Sequence, residues 1–393
     1  MLYIEQELCS DGLSEIKYSN TGEKVMVPEV RKNDNRYRFF MDGYKIITFV
    51  SVFALTFLFS SCAELKREEP VVEAQKAFWR ADPAMGDWQG SWKLDDGTES
   101  GPVVAQVIAL GKGKYRAIVY KQFDTRTEPI ASLDDQLEDA KASFKGKGDY
   151  DGIDLDIQSV IKGDKFSGSF KGEYPGTFEL KKTVRLSPTL GAKPPDGAIV
   201  LFDGKNFRQW EHAEKKPGVD SVQWKLVRPN AMEVKRDTGS IVTKKKFTDF
   251  KLHLEFRTPF MPDKGGQGRG NSGVYLQGRY EVQILDSYGL EGKDNECGGI
   301  YNVGPPIVNM CAPPIQWQTY DITFYAPRFD SAGTKTQDAS VTVLHNGVTI
   351  HDERKIPKPT VASLDSNIAE PGGIYLQDHG NPVQFRNIWL VAL

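Results

Sequence analysis

Histidine and cysteine are scarce in this sequence, with five of the first and four of the second in 393 residues. No C-x-x-C and no close Cys/His spacing occurs among them, which argues against a structural zinc site. An excess of either charge is also missing. Lys plus Arg, 50, nearly balances Asp plus Glu, 53, and the net charge of -3 is spread along the chain. There is no basic stripe to follow a phosphate backbone, so nucleic acid is not an expected partner. No internal repeat period emerges, and beyond residue 198 no helix longer than a turn or two is convincing. One apolar run stands out, residues 46–59, and it is too short to span a bilayer comfortably.

That run has the form of a signal peptide. Met41 to Lys45 make a short head, the apolar stretch follows, and small residues precede Cys62. Ser60-Ser61-Cys62 resembles a bacterial lipobox, in which the cysteine is acylated and becomes the first mature residue; Phe59 stands where that pattern usually has Leu. A buried or membrane-spanning helix is the alternative, opposed by Glu64, Lys66 and Arg67 immediately downstream. The expected organisation is therefore an upstream extension (residues 1–40), a lipoprotein signal peptide (41–61) and a charged tether (62–77), giving an exported protein held in the bacterial cell envelope, periplasmic or outer-membrane, by a lipid on Cys62. Cys9 lies upstream of all this. Cys297 and Cys311 remain as an even pair, read either as a disulfide suited to an oxidising compartment or as two separate buried thiols.

The remaining length allows two folded cores. Residues 78–186 read as a β-rich accessory module: strand-like runs at 103–110, 115–120, 153–161, 165–170 and 176–180 are punctuated by turn signals such as Gly111-Lys112-Gly113, with one helical candidate at 133–142. Three prolines and two glycines in residues 187–197 deny both helix and ladder and mark a boundary. From 198 to 393 nearly every segment is a strand. Residues 251–257 alternate strictly, placing Leu252, Leu254 and Phe256 on one face and His253, Glu255 and Arg257 on the other. Asn346-Gly347 between two alternating runs is a strong hairpin signal. The expected fold class is all-β, with a C-terminal jelly-roll β-sandwich that presents one curved, polar face.

Two familiar motifs fail on context. Gly268 to Gly273 fits G-x-G-x-x-G but leads into a strand, whereas a dinucleotide site needs a helix there. Ser272 does not sit in G-x-S-x-G, so a serine nucleophile has little support. The richest stretch is 280–286. Alternation puts Glu281 and Gln283 on one face and Asp286 on the opposite one, and a β-bulge near Leu285 would return Asp286 to join them. The spacing resembles the E-x-D-x-x-E strand of retaining jelly-roll glucanases, with Gln283 and Asp286 in place of the second and third carboxylates. The plainer reading makes Glu281 an edge-strand charge and Asp286 a turn residue.

A second resemblance covers more of the chain. Residues 201–210, 250–257, 271–276, 280–286, 298–301, 317–322, Asn346-Gly347 and 385–390 match, in consistent order, the blocks of the 3-keto-disaccharide hydrolase family. The resemblance implies a concanavalin-like sandwich acting on glycosides already oxidised at C3, hence a carbohydrate substrate supplied by an upstream 3-oxidising dehydrogenase. The ketone acidifies the C2 proton, so a carboxylate or histidine removes it, an acid protonates the departing C1 oxygen, and water adds to the product for net hydrolysis. On this reading Glu281, Asp286, His379, Arg257 and Glu255 are the catalytic candidates, with Arg257 steadying enolate charge. Asn271, Tyr275, Gln283, Tyr301, Trp317 and Gln377 are the sugar-facing candidates. A divalent cation shared by Glu281, Asp286 and His379 is a further expectation. A lectin-like module that only binds sugar, and a glucanase acting on unoxidised glucan, stay open as alternatives.

Overall fold

Period-two alternation of apolar and polar side chains builds two separate β cores. They are seen in a computed structural model that describes residues 82–135, 142–214 and 221–393, together with the backbone of three short strands near the start. Those three, Ile4–Cys9, Gly12–Tyr18 and Lys24–Met26, form an antiparallel sheet within the unit Met1–Lys66. The signal-peptide stretch 41–61, Cys62 and the tether lie outside the described residues.

The accessory module is a closed barrel of eight antiparallel strands: Gly86–Leu94, Ser100–Gly111, Lys114–Tyr120, Ala131–Asp134, Ser143–Tyr150, Ile153–Lys162, Lys165–Lys171 and Gly176–Thr183, the last pairing back on the first. All five strand-like runs of the sequence are strands here. The helical candidate is corrected at its start, because Leu133 lies in the strand Ala131–Asp134 with its side chain in the barrel core; residues 136–141 are outside the described set. Inside, Trp88, Phe144, Phe166 and Leu180 are almost wholly buried.

The second core lies between two stacked sheets. One has the order Lys225–Val227, Ala231–Glu233, Gln384–Ala392, Phe250–Arg257, Gln318–Tyr325, Ala339–His345, Val348–Ile356, with Ile199–Phe202 also pairing on Gln384–Ala392. The other runs Trp210–His212, Ile241–Thr243, Tyr375–Leu376, Ser272–Leu276, Tyr280–Ile284. Leu252, Leu254 and Phe256 from the first meet Val274, Leu276, Val282 and Ile284 from the second in one apolar cluster. Each such Leu or Phe contributes about 1.5–3 kcal/mol by leaving water. The hairpin at Asn346-Gly347 is present, with both residues at positive φ, 50° and 81°, as a two-residue turn between twisted strands requires.

Residues 187–197 run between the last barrel strand, which ends at Thr183, and the sandwich strand that starts at Ile199, and they are strapped down. Ser187 Oγ lies 2.6 Å from Thr319 Oγ1, Thr189 Oγ1 donates to Asp321 Oδ2 at 2.6 Å, and the Gly191 amide donates to Glu255 Oε1 at 2.6 Å. Barrel and sandwich meet directly as well: Tyr288 Oη donates to Asp87 Oδ1 at 2.8 Å, and Ile108 and Ile118 from the barrel join the sandwich cluster. Cys297 and Cys311 are free and fully buried. Cys297 Sγ lies 3.3 Å from Tyr320 Oη, and Cys311 Sγ donates to Leu285 O at 3.4 Å.

Candidate active site

The outer face of the five-stranded sheet carries the side chains that alternate with the core. Tyr275 stands opposite Glu281 and Gly273 opposite Gln283 on neighbouring strands, while Tyr375 pairs with Tyr275 from the other side. Their rings meet edge to face at 4.8 Å. Gln377, two residues on, therefore faces the same way, and its Nε2 donates to Tyr275 Oη at 3.1 Å. A bridge between Ile300 and Val282 brings the next residue, Tyr301, alongside Glu281. Glycine at 273 is required by this arrangement, since any Cβ there would stand 2.2 Å from Glu281 Oε1. The carboxyl lies over the bare backbone of its neighbour strand.

Glu281 is only 3% exposed, and no salt bridge among the described residues reaches it. Burial pushes its carboxyl up to about 8, against a smaller downward pull from the Tyr275 hydroxyl. Tyr275 is shifted upward in turn, by its own burial and then by the charge of Glu281, so it stays a phenol. Its hydroxyl donates to Val361 O at 3.1 Å, and Thr360 Oγ1 accepts the Glu281 amide at 2.9 Å, so residues 360–364 close this edge of the site. Arg279 holds that segment through Asp365 (2.6 Å) and Glu370 O (2.8 Å). Access of a ligand to Glu281 requires this segment or the half-buried Tyr301 to move aside.

A row of amides continues the face. Gln283 Nε2 and Asn271 Nδ2 both donate to Gln267 Oε1, at 3.3 and 3.0 Å, and the Asn271 amide donates to Asn381 Oδ1 at 2.8 Å. Asn381 belongs to the rim loop that holds His379, which is exposed. Asp378 anchors this loop by accepting the amides of Thr238 (3.2 Å) and Gly239 (3.0 Å). Of the sequence candidates, then, Glu281, Tyr275, Gln283, Asn271, Gln377 and Tyr301 come together, with His379 on the adjoining rim. Tyr375, Gln267, Asn381 and Gly273 were not singled out from the sequence. The alternation of Tyr375 with the core residue Leu376 is the one sequence signal that pointed to any of them.

Four candidates belong elsewhere. The strand register from Ser272↔Ile284 to Leu276↔Tyr280 runs without a bulge, Leu285 turns into the core, and Asp286 lies past the strand end. There it forms a buried ion pair with Arg269 at 2.6 Å, whose Nη1 donates to Ala109 O of the barrel at 3.1 Å. Asp286 thus secures the barrel–sandwich junction, and the paired carboxylates of a retaining glucanase are not formed. Glu255 and Arg257 alternate with core residues as expected, but they occupy the outer face of the other sheet, across the whole core from Glu281. Glu255 is held there by Arg386 (2.6 Å), Asn387 (2.9 Å) and Gly191. Arg257 donates to Gln384 Oε1 at 2.8 Å. Trp317 lies under two guanidinium groups, Arg386 at 4.1 Å and Arg257 at 4.7 Å from its ring centre, so it does not stack on a sugar beside Glu281. Among the described residues no group of three or more His, Cys, Asp or Glu comes together as a metal site, so Glu281, Asp286 and His379 do not form a shared ligand set.

A buried carboxyl with its ionisation moved toward neutrality, set among tyrosines and amides on the face of a β-sandwich, marks a candidate active site, and the family matched next makes it that of a carbohydrate-active enzyme of the glycosidase type. Residues 197–391 match the family described as the 3-keto-alpha-glucoside-1,2-lyase-like domain, and the chain belongs to that family. Among solved structures it is similar to a candidate glycosyl hydrolase from Parabacteroides distasonis ATCC 8503, with 36% identity over 51% of this chain and 85% of that one, TM-score 0.45. A second candidate glycosyl hydrolase from the same organism shares 22% identity over 50% of this chain and 94% of its own, TM-score 0.36. No curated protein matches.

Proposed function

We propose that the sandwich cleaves glycosides carrying a ketone at C3, with Glu281 as the base that removes the C2 proton. The observation that carries this reading is the desolvated Glu281 carboxyl, shifted to about 8 with Tyr275 beside it. Raising a carboxylate toward the basicity of its target strengthens it as a proton acceptor while leaving a usable fraction ionised near neutrality. Glu281 takes the C2 proton and the electron pair moves onto the C3 oxygen as an enolate, to which the Tyr275 hydroxyl donates. The enolate pair then returns to reform the C3 ketone and make a C1=C2 double bond as the C1–O bond breaks, the aglycone oxygen takes a proton from water, and a water molecule added across the double bond makes the overall change a hydrolysis. No covalent sugar intermediate arises in this scheme, in keeping with Asp286 being held by Arg269 instead of beside Glu281.

The test incubates the protein with a 3-keto-glucoside and its unoxidised parent and follows aglycone release. Only the ketone should react, and substrate deuterated at C2 should react several-fold more slowly where proton removal limits the rate. Equal cleavage of the parent would overturn the reading. Release of neither aglycone, with sugar still bound, would make the sandwich a binding module.

We further propose that Cys62 is acylated and anchors the enzyme in the bacterial cell envelope, where a 3-oxidising dehydrogenase supplies its substrate. The support is the run 46–59 followed by Ser60-Ser61-Cys62. Mass spectrometry of membrane-extracted protein should find Cys62 as a lipid-modified N-terminus, and Cys62→Ala should lose the membrane fraction. Retention of that variant at the wild-type level would sink the assignment.

A further inference from the structure

The barrel core is not packed throughout. At one end Trp88, Phe144 and Phe166 interdigitate, with Trp88 Nε1 donating to Ala84 O at 3.0 Å. At the other end the lumen widens into a cavity of about 430 Å³. A well-packed core holds few voids larger than a water molecule, whereas eight strands suffice to enclose one small ligand. The walls are rings and branched aliphatics, among them Trp92, Tyr150, Phe170, Val119 and Leu155. Glycine again makes the room: a Cβ at Gly101 would stand 3.0 Å from Trp92 Nε1. Asp96, Glu99 and the half-exposed Tyr174 stand at the mouth.

We infer that this lumen is a second binding site, independent of the sandwich, for a neutral, mostly apolar ring compound. The apolar wall supplies the binding area, and two carboxylates at the mouth disfavour an anion such as a fatty acid. A cavity of this volume suits a ligand of about two fused rings with short substituents.

Prodan, a naphthalene bearing a ketone and a dimethylamino group, is a probe of that chemistry and can be titrated against the full-length protein. Saturable one-to-one binding with blue-shifted emission is expected. Ile153→Trp, which fills the half-buried rim of the cavity, should weaken binding at least tenfold. Val119→Phe fills the cavity from another wall and replaces Ile153→Trp should circular dichroism show that variant unfolded. Dodecanoate should compete poorly. The inference fails if wild type shows no saturable binding, if a folded cavity-filling variant binds equally well, or if dodecanoate displaces the probe at concentrations matching the probe's own affinity.

Discussion

Glu281→Gln is expected to lower turnover of a 3-keto-glucoside by about 10²- to 10⁴-fold, the usual cost of losing one positioned acid–base group. The substitution keeps the shape of the side chain over Gly273 and removes only its capacity to accept the proton. A pH profile gives the sharper test. Below about 8 the Glu281 carboxyl is protonated and cannot act as a base, so kcat/KM should rise with pH and level off above that value. In the Gln variant this rise should vanish. A wild-type profile that instead falls through the same pH would recast Glu281 as the acid that protonates the leaving oxygen. Near-normal activity of a folded Glu281→Gln protein would move the chemistry off this face altogether. The shift also sets a stability trend: because the folded value lies above the ordinary 4.5, the linked stabilisation is complete below about 4.5 and is lost progressively as pH rises to about 8.

Arg386→Met should destabilise the sandwich by about 3–5 kcal/mol, because it leaves the Glu255 carboxylate buried without its cation. Glu255 is fully buried, and burial alone would raise its ionisation. Hydrogen bonds from His253 and Asn387 and the charge of Arg386 instead hold it at about 2. Since the folded value is depressed, the stabilisation is present above the ordinary range near 4.5 and is lost as pH falls toward 2. His253, 2.6 Å from Asp321 and stacked on Trp389 at 4.9 Å, is shifted the other way. Burial opposes its charge, but Asp321 and Glu255 outweigh burial and raise it. Its contribution is complete below 6.5 and fades as pH rises through the raised value. Denaturant unfolding measured across this range should show the acid loss in wild type and a shallower one in Arg386→Met. Loss of under about 1 kcal/mol in the variant would mean that the ion pair is solvated and that residues 187–192 do not seal it.

Much of this protein was legible in its residues. Alternation in 251–257 assigns each side chain to the core or the polar face of its own strand, Asn346-Gly347 marks a turn because few other residues tolerate positive φ twice, and alternation in 280–284 puts Glu281 and Gln283 on one side. The family, too, could be read from ordered blocks along residues 198–393. What periodicity cannot tell is which sheet a strand joins or which side of the sandwich its polar face reaches, because that depends on pairing partners far away in sequence. Only the tertiary structure separated Glu255, Arg257 and Trp317 from Glu281 by a full core's thickness, gave Asp286 to Arg269 at the barrel junction, and closed eight strands into a barrel by pairing Gly176–Thr183 with Gly86–Leu94. The ionisation of Glu281 was decided there as well, since a carboxyl acquires a raised value from the water that neighbouring chain excludes, and residues 360–364 come to exclude it through contacts nearly eighty residues away.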